Sequence, residues 1–215
     1  MPETDDASLV LYYAPRTRSF TALWLLEELG VPYRLESFAI HSGRHRKPDF
    51  LALNPLGKVP VVLDEDTPVA ELGAMAIYLA DRHRDRAELS PAIDAPARAA
   101  FLRWCFFASA IIEPAYGEKL LGWETPPGTV AWGSFERTMT ALEAGLVPGP
   151  YLLGDAFSAA DALVASALRF GMLFGALDKG REPFAGYVAH VSARPAFARA
   201  RAIEAREGKR FPRPR

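Results

Sequence analysis

Three short stretches of this 215-residue sequence hold residue types whose spacing could do chemistry. The first is Thr17-Arg-Ser19, placed just after Pro15 and at the start of a helical pattern. The first turn of a helix has backbone N–H groups with no intrahelical partner and carries the positive end of the helix dipole. Hydroxyls and a cation at that point therefore make an anion site. Thr17 and Arg18 are candidates to steady a negative charge, with Ser19 as a further donor. The same hydroxyls also act as ordinary helix caps, and the two roles can coexist. The second stretch is Lys58-Val-Pro60, following the turn Asn54-Pro-Leu-Gly57. Read alone, Pro60 only stiffens the start of a strand, since most X–Pro bonds are trans, and Lys58 is a solvated lysine. The third is Glu71-Leu72, which opens another helix, where a carboxylate is favoured by the dipole with or without a ligand.

These stretches are spaced by regular elements. Leu9–Tyr13 reads as a strand stopped by Pro15. In 20–29, Ala22, Leu25, Leu26 and Leu29 recur at helical spacing until Gly30 and Pro32 end the pattern. A strand at 33–38 completes a β-α-β unit. The polar, basic segment 41–50 reads as loop with room for one short helix. The strands at 58–63 and 67–70 pair as a hairpin around Asp64-Glu-Asp66, and 71–82 closes the unit as a helix. Beyond it every pattern is helical: 97–121, interrupted by Pro114, then 130–144, 158–177, 184–192 and 195–205. Ser158 and Asp161 have the spacing of a capping box. The expected architecture is an α/β domain at 1–83, a linker at 84–96 and an all-helical domain at 97–215.

Composition removes several classes of function. With 25 Lys+Arg against 26 Asp+Glu the net charge is -1, which gives no general attraction for nucleic acid or acidic membranes. The basic tail, Arg206, Lys209, Arg210, Arg213 and Arg215, reads as a solvated terminus. One cysteine, Cys105, excludes an internal disulfide, a CxxC redox pair and a cysteine-based zinc site. The four histidines, His41, His45, His83 and His190, lack metal-ligand spacing, so no metal is expected. The start of the chain is acidic and polar, unlike a signal peptide, and no run approaches the length of a membrane helix. The expected location is the cytoplasm.

The four segments Tyr12-Tyr-Ala-Pro-Arg-Thr-Arg-Ser19, Asn54-Pro-Leu-Gly-Lys-Val-Pro60, Ala70-Glu-Leu-Gly-Ala74 and Gly154-Asp-Ala-Phe-Ser-Ala-Ala-Asp161, in this order, resemble the glutathione transferase family in its bacterial and fungal Ser/Thr-type branch. The resemblance covers nearly the whole chain. It implies a thioredoxin-like N-terminal domain (βαβ-ββα) followed by an all-α C-terminal domain, with glutathione as co-substrate, no nucleotide and a homodimer. Thr17 aligns with the hydroxyl that donates to the glutathione sulfur, Arg18 adds positive charge, and Tyr12 is a rival donor. The Val59–Pro60 bond would be cis, turning the Val59 backbone outward to pair with the tripeptide, while Lys58 approaches the glycyl carboxylate. Ser19, Lys58, Val59, Pro60, Glu71 and Leu72 thus form the implied glutathione site. Leu72 stands where the family usually has a serine that donates to the γ-glutamyl carboxylate, so one hydroxyl donor is lost.

In the helical half, Trp104, Phe106, Phe107, Ile111, Tyr116 and Trp123 give an aromatic-rich region. Phe107 and Tyr116 are the candidates to line a pocket for a small apolar electrophile. The implied reaction is conjugation of glutathione to that electrophile, or a related reduction or isomerisation. The alternative is a non-catalytic binding or regulatory protein that keeps the fold.

Overall fold

The computed structural model describes residues 8–126, 128–146 and 149–214; the acidic start and Arg215 lie outside them. By contact, the chain forms two compact units: residues 1–87 together with 195–215, and residues 88–194.

The first unit is built on a four-stranded sheet in the order β2-β1-β3-β4. The strands are β1 (Leu9–Tyr13), β2 (Tyr33–Ser37), β3 (Val61–Asp64) and β4 (Thr67–Val69). β1 runs parallel to β2 and antiparallel to β3, and β3 is antiparallel to β4. This is the β-α-β and hairpin arrangement read from the sequence, with helix α1 (Ser19–Leu29) as the crossover. Gly30 ends α1 at φ 64, a conformation that favours a residue without Cβ. The segment expected to be loop with room for one short helix holds more: 3-10 turns at Ile40–Ser42 and Arg44–Arg46, then helix α2 (Pro48–Leu53), whose Phe50 is fully buried. Helix α3 (Leu72–Arg82) closes the unit and buries Met75, Ala76 and Leu79.

α1 is buried on more than the face its periodicity marks. Phe20, Thr21 and Trp24 are buried together with Ala22, Leu25, Leu26 and Leu29. The cause is helix α9 (Pro195–Arg210), which packs on α1 rather than among the helices of the second unit. Phe197 stands edge-on to Trp24 at 4.8 Å and to Phe20 at 5.6 Å between ring centroids, and Arg199 Nε donates to Glu27 Oε2 at 2.7 Å. A division by chain order places 195–205 with the helical domain, whereas contact attaches it to the first unit.

The second unit has α4 (Arg98–Phe106), a wide π turn at Phe107–Ile112, α5 (Glu113–Leu121), α6 (Phe135–Gly145), α7 (Ala159–Phe174) and α8 (Phe184–Ser192). The π turn lies just before Pro114, which has no N–H to give a carbonyl four residues back, so the ladder widens there. α7 is the core helix, and its capping box is formed: Asp161 Oδ2 accepts from the Ser158 amide at 2.9 Å. Its Oδ1 accepts from the Leu152 amide and the Tyr187 hydroxyl, each at 2.8 Å. Burial pushes the Asp161 carboxyl up from its usual range against the pull of these bonds.

Candidate functional site

The sheet register brings the three chemically promising stretches to one end of the first unit. Tyr12 lies opposite Val61, Val62 opposite Val69 and Tyr13 beside Ser37. The C-terminal ends of β1, β2 and β4 and the N-terminal end of β3 therefore share one edge. Thr17–Ser19 leaves that edge after β1, Lys58–Pro60 reaches it before β3, and Glu71-Leu72 leaves it after β4.

At the first stretch, two hydroxyls form a compact knot with one backbone unit. Ser19 is fully buried; its Oγ accepts from the Ala14 amide at 3.0 Å and lies 2.8 Å from the Ala14 carbonyl. Thr17, half-buried, places Oγ1 2.7 Å from the same carbonyl and 2.7 Å from Ser19 Oγ. Thr17 is the hydroxyl within reach of solvent, and Ser19 is the inner brace that fixes it. Arg18 adjoins them as the residue before α1, half-buried. Tyr12 projects from the sheet face opposite to Tyr13 and packs edge-on against Phe50 at 5.6 Å.

The second stretch is held by Asn54, itself buried, whose Nδ2 donates to the Lys58 carbonyl at 3.0 Å and whose Oδ1 accepts from the Leu56 amide at 3.1 Å. The Val59–Pro60 bond is cis, and pairing of β3 with β1 begins only at Val61, so the Val59 backbone is outside the ladder. His45 lies against this turn: a Cβ on Gly57, at φ 59, would come 2.9 Å from the His45 carbonyl. The ring stacks on Phe38, and its buried Nδ1 has no hydrogen-bond partner among the described residues. Burial, with the positive charges of Arg46 and Lys58, holds its pKa below the ordinary imidazole value.

At the third stretch Glu71 is exposed and has φ 64 and ψ 118, an unusual backbone for a residue with a Cβ. Such a conformation costs on the order of 1–3 kcal/mol and concentrates at functional sites. Its carbonyl accepts from the Met75 amide at 2.8 Å, so α3 starts directly after it. The first-turn amides of Leu72, Gly73 and Ala74 then have no intrahelical acceptor, and Leu72 itself is half-buried.

Comparison with known proteins identifies the family and the fold. The model of the glutathione S-transferase N-terminal domain matches residues 7–81, and that of the glutathione S-transferase C-terminal domain matches 81–190. The chain belongs to the glutathione S-transferase family. Glutathione S-transferase 3 of Zea mays is 32% identical, over 89% of this chain and 92% of its own. Disulfide-bond oxidoreductase YfcG of Escherichia coli is 27% identical over 70% of this chain and 74% of its own. The structure of a sphingomonad glutathione S-transferase complexed with glutathione is 26% identical, covers 91% of this chain and 98% of its own, and superposes with a TM-score of 0.74. The fold is accordingly the transferase one, a thioredoxin-like domain with a helical C-terminal domain.

Within the second unit of this transferase-family chain, Phe107 is half-buried, edge-on to Trp104 at 5.2 Å, with the Arg103 guanidinium over its ring. Tyr116 is buried between Phe135 and Gly171, where a Cβ on Gly171 would strike its ring, and its hydroxyl has no partner among the described residues. Burial, aided by Glu113, pushes its phenol far above the usual range. The sequence does not mark the approach of His45 to the Gly57 turn, nor the hydrogen bond from the Arg16 amide to Glu204 Oε1. The signal nearest to the first is the place of His45 before the short helix that precedes Asn54-Pro-Leu-Gly57. Nothing local marks Arg16 and Glu204, which meet across 188 positions.

Proposed function

We propose that the chain binds glutathione at this edge of the first unit and activates its thiol as a thiolate for transfer to a small apolar electrophile. The observation that carries this reading is the knot at Ala14. Its carbonyl has two hydroxyl donors within reach, Thr17 and Ser19. Thr17 can therefore swing its proton to a ligand sulfur while Ser19 keeps the carbonyl satisfied, so no buried acceptor is orphaned. A thiol of pKa about 8.5 lowered by two units needs about 2.7 kcal/mol. One or two charge-assisted hydrogen bonds at a helix N-terminus supply about that much. Arg18 would add Coulombic support.

The tripeptide would lie along the edge, with its backbone paired to Val59 beside Pro60 and its glycyl carboxylate toward Lys58 and His45. Its γ-glutamyl ammonium would meet Glu71, and its α-carboxylate the free amides from Leu72 onward. The thiol proton leaves to solvent. The sulfur then bonds to the electrophilic carbon, and the leaving group departs with its electron pair. Phe107, half-buried, is the aromatic residue proposed for the acceptor, whereas Tyr116, expected beside it, is packed into the core of the second unit; a cytoplasmic homodimer is the proposed form. The similarity to a disulfide-bond oxidoreductase favours a second reading, in which the same thiolate attacks a disulfide sulfur instead of carbon.

The test is calorimetric titration with glutathione, followed by turnover with chlorodinitrobenzene and with a small disulfide. Micromolar to millimolar binding with turnover lost in Thr17→Val is expected. A dissociation constant above about 10 mM, weaker than about 3 kcal/mol, favours a scaffold protein.

A further inference from the structure

Arg16, the residue before Thr17, is held at both its backbone and its side chain by α9. It has φ 62, in the left-handed region that a residue with a Cβ seldom adopts. Its amide donates to Glu204 Oε1 at 2.8 Å. Its guanidinium donates to the carbonyl oxygens of Gly208, at 3.1 Å, and of Phe211. These carbonyls lie at the C-terminal end of α9, where the negative end of the dipole favours a cation. Gly208 leaves the space required: a Cβ there would approach Arg16 Nη1 to 3.1 Å.

α9 is itself anchored against the first unit. Phe197 packs on Phe20 and Trp24, Arg199 on Glu27, and Glu207 accepts from the Ser37 hydroxyl at 2.6 Å at the end of β2. Glu204 is buried, and its second oxygen, Oε2, has no partner among the described residues. Among the described residues this buried carboxyl accepts one hydrogen bond, from the turn that presents Thr17. Burial raises its pKa against the pull of that bond.

We propose that Glu204 and Arg16 are positioning residues for Thr17, clamping the β1–α1 turn to α9 so that the Thr17 hydroxyl stands where the glutathione sulfur is activated. The inference rests on the reading of Thr17 given above. The knot at Ala14 orients the hydroxyl locally, and the clamp sets where the whole turn stands relative to the sheet edge. Without the acceptor at Glu204, Arg16 can relax to negative φ and rotate the peptide that leads into Thr17. A shift of about 1 Å in a group that acts on the reacting atom lowers rate by up to about a hundredfold.

The experiment compares full-length wild type, Glu204→Ala and Glu204→Gln. Its readouts are the ultraviolet absorbance of bound glutathione thiolate against pH, kcat and KM with chlorodinitrobenzene, and amide hydrogen exchange across residues 14–19. Glu204→Ala is expected to move the thiol midpoint up by about one pH unit, which is about tenfold less thiolate, and to lower kcat about tenfold. KM for the electrophile should change less than about twofold, because its binding is untouched. Glu204→Gln keeps an acceptor oxygen and should restore the midpoint, the rate and the slow exchange. Arg16→Ala keeps the amide bond and loses only the guanidinium; it serves if Glu204→Ala does not fold, and should lower kcat about threefold. A wild-type midpoint and kcat in a folded Glu204→Ala or in Arg16→Ala overturns the clamp alone, as does equal loss in the Ala and Gln variants of Glu204. A wild-type complex whose thiol titrates like free glutathione overturns the Thr17 reading and the clamp together.

Discussion

The hydroxyl of Thr17 lies 2.7 Å from that of Ser19, and both lie within 2.8 Å of the Ala14 carbonyl. With the Ser19 proton on the Ala14 carbonyl, that acceptor stays satisfied when the Thr17 proton turns away. Ser19, fully buried, accepts from the Ala14 amide and has no path to a ligand. Thr17 is the one that can turn outward.

Thr17→Val and Ser19→Ala should therefore separate activity from stability. In Thr17→Val the Ala14 carbonyl keeps its Ser19 donor, so unfolding free energy should fall by less than about 1 kcal/mol while kcat/KM falls about a hundredfold. In Ser19→Ala the buried Ala14 amide loses its acceptor, which costs about 1–3 kcal/mol, and Thr17 becomes tied to the carbonyl. Both quantities should then drop. Denaturant unfolding and steady-state turnover on the two variants check this; Thr17→Val with unaltered turnover would pass the chemistry to Tyr12 or Arg18.

Much of this site is legible in the sequence because its parts are local. Thr17 and Ser19 fall two residues apart at a helix start, Asn54 and Gly57 fix a four-residue turn, and Glu71 opens a helix behind a hairpin. The sheet order follows from the β-α-β crossover and the hairpin, which bring those parts to one edge. The unreadable features depend on distant packing. Phe20 and Trp24 lie off the stripe that Ala22, Leu25, Leu26 and Leu29 mark, yet Phe197 of α9 packs on both. Arg16 is one basic residue among several until Glu204 and the end of α9 are placed around it. Pro114 marks an interruption of the helical pattern at 97–121, but not that the helix widens over the six residues Phe107–Ile112 and continues through the proline.

Leu72 heads α3 where a hydroxyl would give an incoming carboxylate one more donor. Leu72→Ser should tighten glutathione about fivefold, the effect of about 1 kcal/mol from one added hydrogen bond. Competitive calorimetry measures it. Weaker binding in the variant would mean that the γ-glutamyl end lies elsewhere.

Glu71 is the carboxylate proposed to accept from the γ-glutamyl ammonium. Glu71→Gln should weaken glutathione about tenfold, within the range for a hydrogen bond to a charged group. It should leave unchanged the affinity for an analogue whose α-amino group is replaced by hydrogen. Equal losses for the two ligands would show that Glu71 serves the backbone turn at φ 64 and not the ammonium.

His45 gives the site a pH dependence of predictable sign. Burial, then the charges of Arg46 and Lys58, holds its pKa below the ordinary 6.5, so the unliganded ring is neutral at neutral pH. In the unfolded chain the ring protonates first as pH falls through 6.5, so this residue removes stability from the free protein on the acid side. A ligand carboxylate against the ring favours the charged form and raises its pKa, so binding takes up a proton. S-methylglutathione has no thiol to ionise and isolates the effect. Its affinity should rise as pH is lowered from about 7 to about 6, with a calorimetric enthalpy that depends on the buffer's own protonation heat. His45→Gln should flatten both. A flat profile in the wild type would place the glycyl carboxylate on Lys58 alone.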